Sequence, residues 1–146
     1  MVKNTTYDYK SWENIEARTD ILVKKILDRG IQFNSISTVS RGGLVPARLV
    51  ADRLGIKRIL IDEDAIPTDS LFVDDIYDTG ETFRRTVEKA DSRDGLVYAT
   101  LFARRKDHYP KQLIYAELTK GDEYIVYPWD RFEHGITRTS DMKKFE

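Results

Sequence analysis

The sequence predicts an α/β fold: a mainly parallel sheet flanked by helices. Three observations carry this. Short runs rich in β-branched residues recur along the chain, segments with apolar residues three and four apart lie between several of them, and glycines mark several of the joins. Strands that alternate with helices imply parallel pairing, with the helices covering the sheet faces.

Taken in order, Trp12, Ile15, Thr19, Leu22 and Ile26 trace one face of an amphipathic helix, with Ser11 placed as its N-cap and Gly30 suited to its end. "ISTVS" (36–40) reads as a strand. "RGGL" then turns into a second helix, with Pro46 near its first turn, where a missing N–H matters least, and Gly55 after it. "KRILID" (57–62) and "SLFVDD" (70–75) read as strands, the second ending on Asp74 and Asp75. Phe83, Val87 and Ala90 keep helical spacing between Gly80 and Ser92. "GLVYATLFA" (95–103), "QLIYAEL" (112–118) and "EYIVYP" (123–128) complete the strands. No repeat, low-complexity tract or linker interrupts the chain, and residues 1–146 are expected to form one domain.

Composition narrows the function. The formal net charge of −1, with no long run of one sign, gives no support to a nucleic-acid platform or a basic membrane-binding surface. No apolar stretch approaches the roughly 18 residues of a membrane span, and "MVKNTTYDYK" lacks the apolar core of a signal peptide. Cysteine is absent, which removes disulfides and thiolate metal sites. The cytoplasm is the expected location by elimination.

The densest chemistry lies in "LFVDDIYDTGETFRR" (71–85), where Asp74, Asp75 and Asp78 crowd one strand-to-helix turn. Such a turn lies at the C-terminal edge of a parallel sheet, the usual ligand side. The amides of "DTGET" open a helix, where unsatisfied N–H groups and the helix dipole favour phosphate. Gly80 permits close approach of the backbone, and the Thr79 and Thr82 hydroxyls donate hydrogen bonds. Carboxylates repel phosphate, yet they accept hydrogen bonds from sugar hydroxyls and reach Mg²⁺ through water. A ribose 5-phosphate satisfies both halves. Paired acids at a strand end also occur as a metal pocket or as solvated loop charge, and Asp78 also suits a helix N-cap.

The whole string closely resembles the phosphoribosyl-diphosphate (PRPP) signature of the type I phosphoribosyltransferases: an apolar run, two acids, two mostly apolar residues and a Thr/Gly-rich loop. "STVSRGGLVPARLVADRLGI" (37–56) resembles the pyrophosphate loop and following helix of the xanthine-guanine branch. The N-terminal helix, "LFARRKD" (101–107) and "DEYIVYPWD" (122–130) occupy the places of further elements of that branch. The resemblance implies a Rossmann-like sheet with a small hood built from the chain ends. It also implies Mg²⁺-dependent transfer of ribosyl 5-phosphate from PRPP to a 6-oxopurine (guanine, xanthine or hypoxanthine) in purine salvage, by a homodimer or homotetramer.

Carried over residue by residue, the resemblance implies that Asp74 and Asp75 hold the ribose hydroxyls and, through water, the metal. Asp78 would serve as general base, and Asp78, Thr79, Gly80, Glu81 and Thr82 would form the 5-phosphate loop. Ser40, Arg41, Gly42 and Gly43 would bind pyrophosphate. Arg104, where relatives usually carry Lys, would meet the purine 6-oxo group, Tyr124 would stack on the base, and Ile125 would present backbone groups to its 2-position. Trp129 and Asp130 would shape the pocket floor, whereas His108 and His134 lack metal-ligand spacing.

One segment departs from the family. Its members carry a long mobile loop between the second sheet strand and the PRPP strand, and here that connection is only "DEDAIPTDS" (62–70), without Lys or Arg. An alternative therefore stands beside the transferase: a regulator that binds PRPP or nucleotide, or a degenerate transferase without activity.

Overall fold

The computed structural model describes residues 5–130. Helix α1 (Trp12–Asp28) starts as its spacing predicts, with the Ser11 hydroxyl accepting from the Asn14 amide at 3.1 Å. It buries Ile15, Thr19, Leu22, Val23 and Ile26. Strand β2 (Ser35–Thr38) leads into helix α2 (Leu44–Leu54), which closes on Gly55 in the left-handed conformation at φ 69°. Strand β3 (Ile59–Ile61) and strand β4 (Ser70–Tyr77) follow, then helix α3 (Glu81–Lys89), strand β5 (Val97–Ala103) and strand β6 (Leu113–Leu118).

These strands form one five-stranded sheet in the order β3-β2-β4-β5-β6, with every neighbouring pair parallel. The order reverses between β2 and β4: the chain steps from β2 outward to β3, then returns past β2 to begin β4. A crevice opens at such a reversal beyond the C-terminal strand ends, because the two loops leaving it diverge. The loops after β2 and β4 are the two that the sequence analysis assigns to phosphate.

Helices α1 and α2 cover one face with Ile15, Leu22, Ile26, Ala47 and Val50, packed on Ile36, Leu71, Val73 and Ala99. The opposite face meets α3 through Phe72, Tyr98, Phe83 and Val87. Phe72 stacks on Tyr98 with ring centres 4.9 Å apart, and Phe83 meets Tyr98 edge-on at 5.2 Å.

Two features differ from the sequence expectation. Strand β4 does not end at Asp75: it runs on to Tyr77, because Ile76 and Tyr77 pair with Phe102 and Ala103 of β5. Asp74 and Asp75 therefore lie within the strand. A short strand β1 (Tyr7–Tyr9) also forms and pairs in parallel with strand β7 (Tyr124–Val126) as a separate two-stranded sheet. Three alternating residues are too few to announce a strand without their partner. This small sheet, from near both chain ends, is the hood. Among the described residues no helix is long and apolar enough to cross a membrane. His134 lies outside the described residues.

Candidate active site

The first wall of the crevice is the loop after β2. Thr38 ties the end of β2 to β4 by donating its hydroxyl to Val73 O at 2.6 Å. The chain then turns through Ser40–Arg41, a cis peptide, and is closed by Gly43 N to Val39 O at 3.1 Å and Leu44 N to Arg41 O at 3.2 Å. Gly43 has no room for a side chain: a Cβ there would lie 2.0 Å from Thr38 Oγ1 and 3.0 Å from Val73 O. A Cβ on Gly42 would lie 3.1 Å from Asp75 Oδ2, so this loop is laid directly over the acidic pair. Of its expected pyrophosphate ligands, Ser40 is already engaged. Its amide donates to Asp62 Oδ1 at 2.9 Å and its hydroxyl donates to Asp62 Oδ2. Those bonds hold the Asp62 carboxyl below its ordinary range, the hydroxyl contributing most.

Asp74 and Asp75 form the floor. Asp74 is 5% exposed and accepts from the Tyr98 hydroxyl at 3.3 Å and from the Asp75 amide at 2.8 Å. Asp75 accepts from the Ile76 amide at 2.8 Å. The alternation of faces slips here, since Val73 and Ile76 both pack with the α1/α2 core while Tyr77 turns to the α3 side. Burial pushes both carboxyls up, and for Asp75 the neighbouring Asp74 charge adds to the effect. With Asp74 buried and Asp75 half-buried, this pair of hard oxygen donors has no ion pair with a cation among the described residues. That suits Mg²⁺, which is commonly held by one or two carboxylates together with water and phosphate oxygens. No group of three or more acidic, His or Cys ligands that could hold a metal exists among the described residues, so a full protein cage is absent.

The second wall is the turn after β4. Gly80, at φ 87°, occupies the N-cap of α3, so Asp78 is not the cap. The Glu81 amide donates to Thr79 Oγ1 at 3.3 Å, and the first turn of α3 lines a hollow of 130 Å³ together with Asp75, Thr79 and Tyr98. Glu81 is exposed on the first turn.

Asp78 instead faces the third wall. Arg104 Nε lies 3.5 Å from Asp78 Oδ1, and Arg104 Nη1 donates to Glu123 O at 2.8 Å and to Gly121 O at 3.2 Å. The guanidinium thus ties the turn after β4 to the segment entering β7. The neighbouring Arg105 turns elsewhere, its Nε donating to Thr119 O at 3.1 Å. Tyr124 is half-exposed on the hood, edge-on to Tyr7 at 6.0 Å, and Ile125 is buried in register with Asp8.

Behind them Tyr127 stacks on Trp129 at 4.7 Å and meets Phe102 at 6.1 Å. The Tyr127 hydroxyl and Trp129 Nε1 are buried without hydrogen-bond partners among the described residues. Burial, reinforced by the charges of Asp75 and Asp74, pushes the Tyr127 phenol well up. Tyr127 and Tyr98 were not foreseen as site residues. In sequence each is one aromatic in an apolar strand, and only the tertiary fold brings it to the acids.

No family model matches the sequence. In fold, the chain matches the xanthine-guanine-hypoxanthine phosphoribosyltransferase of Helicobacter pylori with a TM-score of 0.71 at 15% identity, over 90% of this chain and 98% of that one. It also matches a Neisseria gonorrhoeae protein crystallised with bound ppGpp, with a TM-score of 0.69 at 19% identity, over 88% and 92% of the two chains. The fold is therefore that of the type I phosphoribosyltransferases. In sequence, the chain is 28% identical to the xanthine-guanine phosphoribosyltransferase of Idiomarina loihiensis, over 88% of this chain and 89% of that enzyme. Its sequence likeness is thus to the xanthine-guanine branch, and the enzymes of that branch are glycosyltransferases.

Proposed function

We propose that the protein is a phosphoribosyltransferase that moves ribosyl 5-phosphate from PRPP to a 6-oxopurine and releases pyrophosphate. The observation that carries this reading is the convergence of three walls on one crevice. The Ser40–Gly43 loop lies over the Asp74–Asp75 pair, the Thr79–Thr82 turn lies beside it, and Arg104 brings the hood segment against Asp78. The names of the curated relatives support purine phosphoribosyl transfer.

In this reading the first-turn amides of α3, with the Thr79 and Thr82 hydroxyls, hold the 5-phosphate. Asp74 and Asp75 accept hydrogen bonds from the ribose hydroxyls, and they hold Mg²⁺ through water. The metal, when bound, neutralises charge on the leaving diphosphate. The bond from ribose C1 to the diphosphate oxygen breaks, its electron pair leaving with pyrophosphate, while a purine nitrogen lone pair forms the new C1–N bond. Asp78 accepts the proton that this nitrogen loses, and the Arg104 guanidinium, 3.5 Å from its Oδ1, holds it against the hood segment. Arg104 Nη2, which has no hydrogen bond among the described residues, is left to donate to a 6-oxo group. Donor would face donor at the 6-amino group of adenine.

A second reading, a PRPP- or nucleotide-binding regulator, is favoured by the connection between β3 and β4. It is drawn down against the far end of α3, with Ile66 N donating to Lys89 O and Asp91 N donating to Ile66 O, both at 2.9 Å. A strap tied there provides no lid to exclude water. Incubation with Mg²⁺, PRPP and a panel of purines and pyrimidines separates the two. Turnover of guanine, xanthine or hypoxanthine is expected. PRPP binding with no turnover of any base would establish the regulator, and turnover of only orotate, uracil or adenine would show that the base site is misread.

A further inference from the structure

Asp62 follows β3 directly and holds a left-handed backbone conformation, φ 55°, which Asp tolerates better than most residues. Its amide donates to Thr38 O at 3.0 Å, anchoring it beside the end of β2. From that anchor the carboxylate reaches across to the loop after β2. There it takes both donors of one residue, the Ser40 amide at 2.9 Å and the Ser40 hydroxyl. Paired oxygens that accept an amide and a hydroxyl of a glycine-rich turn reproduce the contacts of one face of a phosphate group. Asp62 is exposed and could be hydrated by solvent instead, so its attachment to Ser40 is a choice between competing partners.

We infer that Asp62 is an internal anion that competes with diphosphate for Ser40, and so sets the affinity of the loop for its ligand. The inference rests on the assignment of Ser40–Gly43 to diphosphate made above. When the ligand arrives, the carboxylate swings away from Ser40 into the adjoining cleft of 270 Å³. That cleft runs down the α3 face between α3 and the strap, and Arg85 and Lys89 line it. The ligand then takes the two donors released. A loop that is open for only a fraction of the time binds more weakly by that fraction, so a carboxylate holding Ser40 nine-tenths of the time weakens binding about tenfold.

Calorimetric titration with inorganic pyrophosphate tests this on the wild type, Asp62→Asn, Asp62→Gly and Glu63→Gln, with the thermal midpoint of each recorded as a check on folding. Asn tolerates the left-handed backbone and removes the charge, and Gly removes the side chain while relieving the backbone. Both are expected to tighten pyrophosphate binding by about tenfold. Glu63 lines the same cleft and makes no hydrogen bond to Ser40 among the described residues. Glu63→Gln removes the same charge and is expected to change affinity less than about twofold. Unchanged or weaker binding in both Asp62 variants would overturn the inference and make Asp62 a support of the loop. Equal tightening in Glu63→Gln would also overturn it, reducing the effect to general charge. If no protein in the series binds pyrophosphate, the diphosphate assignment fails together with the inference.

Discussion

The two sides of the crevice are built by different means. On the phosphate side, position is set by backbone: two strand ends, a turn tightened around Gly43, and the N-terminus of α3 at Gly80. On the base side, position is set by side chains that cross between distant segments. Arg104 spans from the end of β5 to Asp78 and to carbonyls at Gly121 and Glu123, and Tyr124 arrives on a hood strand paired with Tyr7–Tyr9. A site held by backbone resists variation of its neighbours and fails when a glycine gains a side chain. A site held by side chains is retuned by each substitution. In the proposed reading, the phosphate side would therefore define the class of ligand, and the base side which member reacts.

The largest expected effect strikes where the two sides meet. Asp78→Asn removes the proton acceptor and leaves the phosphate contacts in place. Turnover is expected to fall by about 10²–10⁴ with little change in PRPP affinity, measured by steady-state rates beside calorimetry. A loss of PRPP binding to match would place Asp78 on the phosphate side instead.

Gly43→Ala attacks the backbone-built side alone. Its Cβ would meet Thr38 Oγ1 at 2.0 Å, so the loop must shift. Pyrophosphate affinity is expected to drop by about a hundredfold, and overpacking costs about 1–3 kcal/mol of stability in a denaturant titration. Arg104→Lys attacks the side-chain-built side. Lys cannot reach Asp78 and two carbonyls with one fork, so kcat/KM for the purine is expected to fall by about tenfold while the KM for PRPP holds. Equal loss for both substrates would show that the two sides are not separable.

Smaller effects bear on the floor. The Asp75 carboxyl is raised by burial and by the Asp74 charge, so the folded free protein binds its proton more tightly than the unfolded chain does. Stability of the free protein should thus decrease as pH rises from the ordinary acid value of 3.8 through the raised native value, and then level off. Asp75→Asn removes that penalty. It is expected to raise the thermal midpoint at pH 7, with a gain that shrinks toward pH 3.8. Tyr98→Phe removes a hydrogen bond to the Asp74 carboxylate and should cost about 1 kcal/mol in the same melting experiment at neutral pH.

The same division governs how much could be read from sequence. The two loops assigned to phosphate could be picked out as candidates because their pattern is one of local order: apolar run, acids, Thr and Gly at fixed offsets. The succession of strands and helices along the chain, and with it a mainly parallel sheet, also followed from local periodicity, with α1 beginning at its Ser11 cap. The order of strands across the sheet did not. The extent of β4 was not legible, because Ile76 and Tyr77 look like turn residues between acids until Phe102 and Ala103 pair with them. Strand β1 and the contacts of Arg104 with Gly121 and Glu123 depend on partners far along the chain, which no local pattern encodes. The acids of the 62–70 connection were visible as charge near a polyanion site. That one of them folds back on Ser40 required the left-handed turn at Asp62.

The most direct measurement follows nucleotide and pyrophosphate together when the protein meets Mg²⁺–PRPP with and without guanine, xanthine or hypoxanthine. Release of one pyrophosphate per mononucleotide formed, dependent on the purine and lost in Asp78→Asn, is expected. PRPP bound in the crevice with no nucleotide formed from any base would contradict the transferase reading.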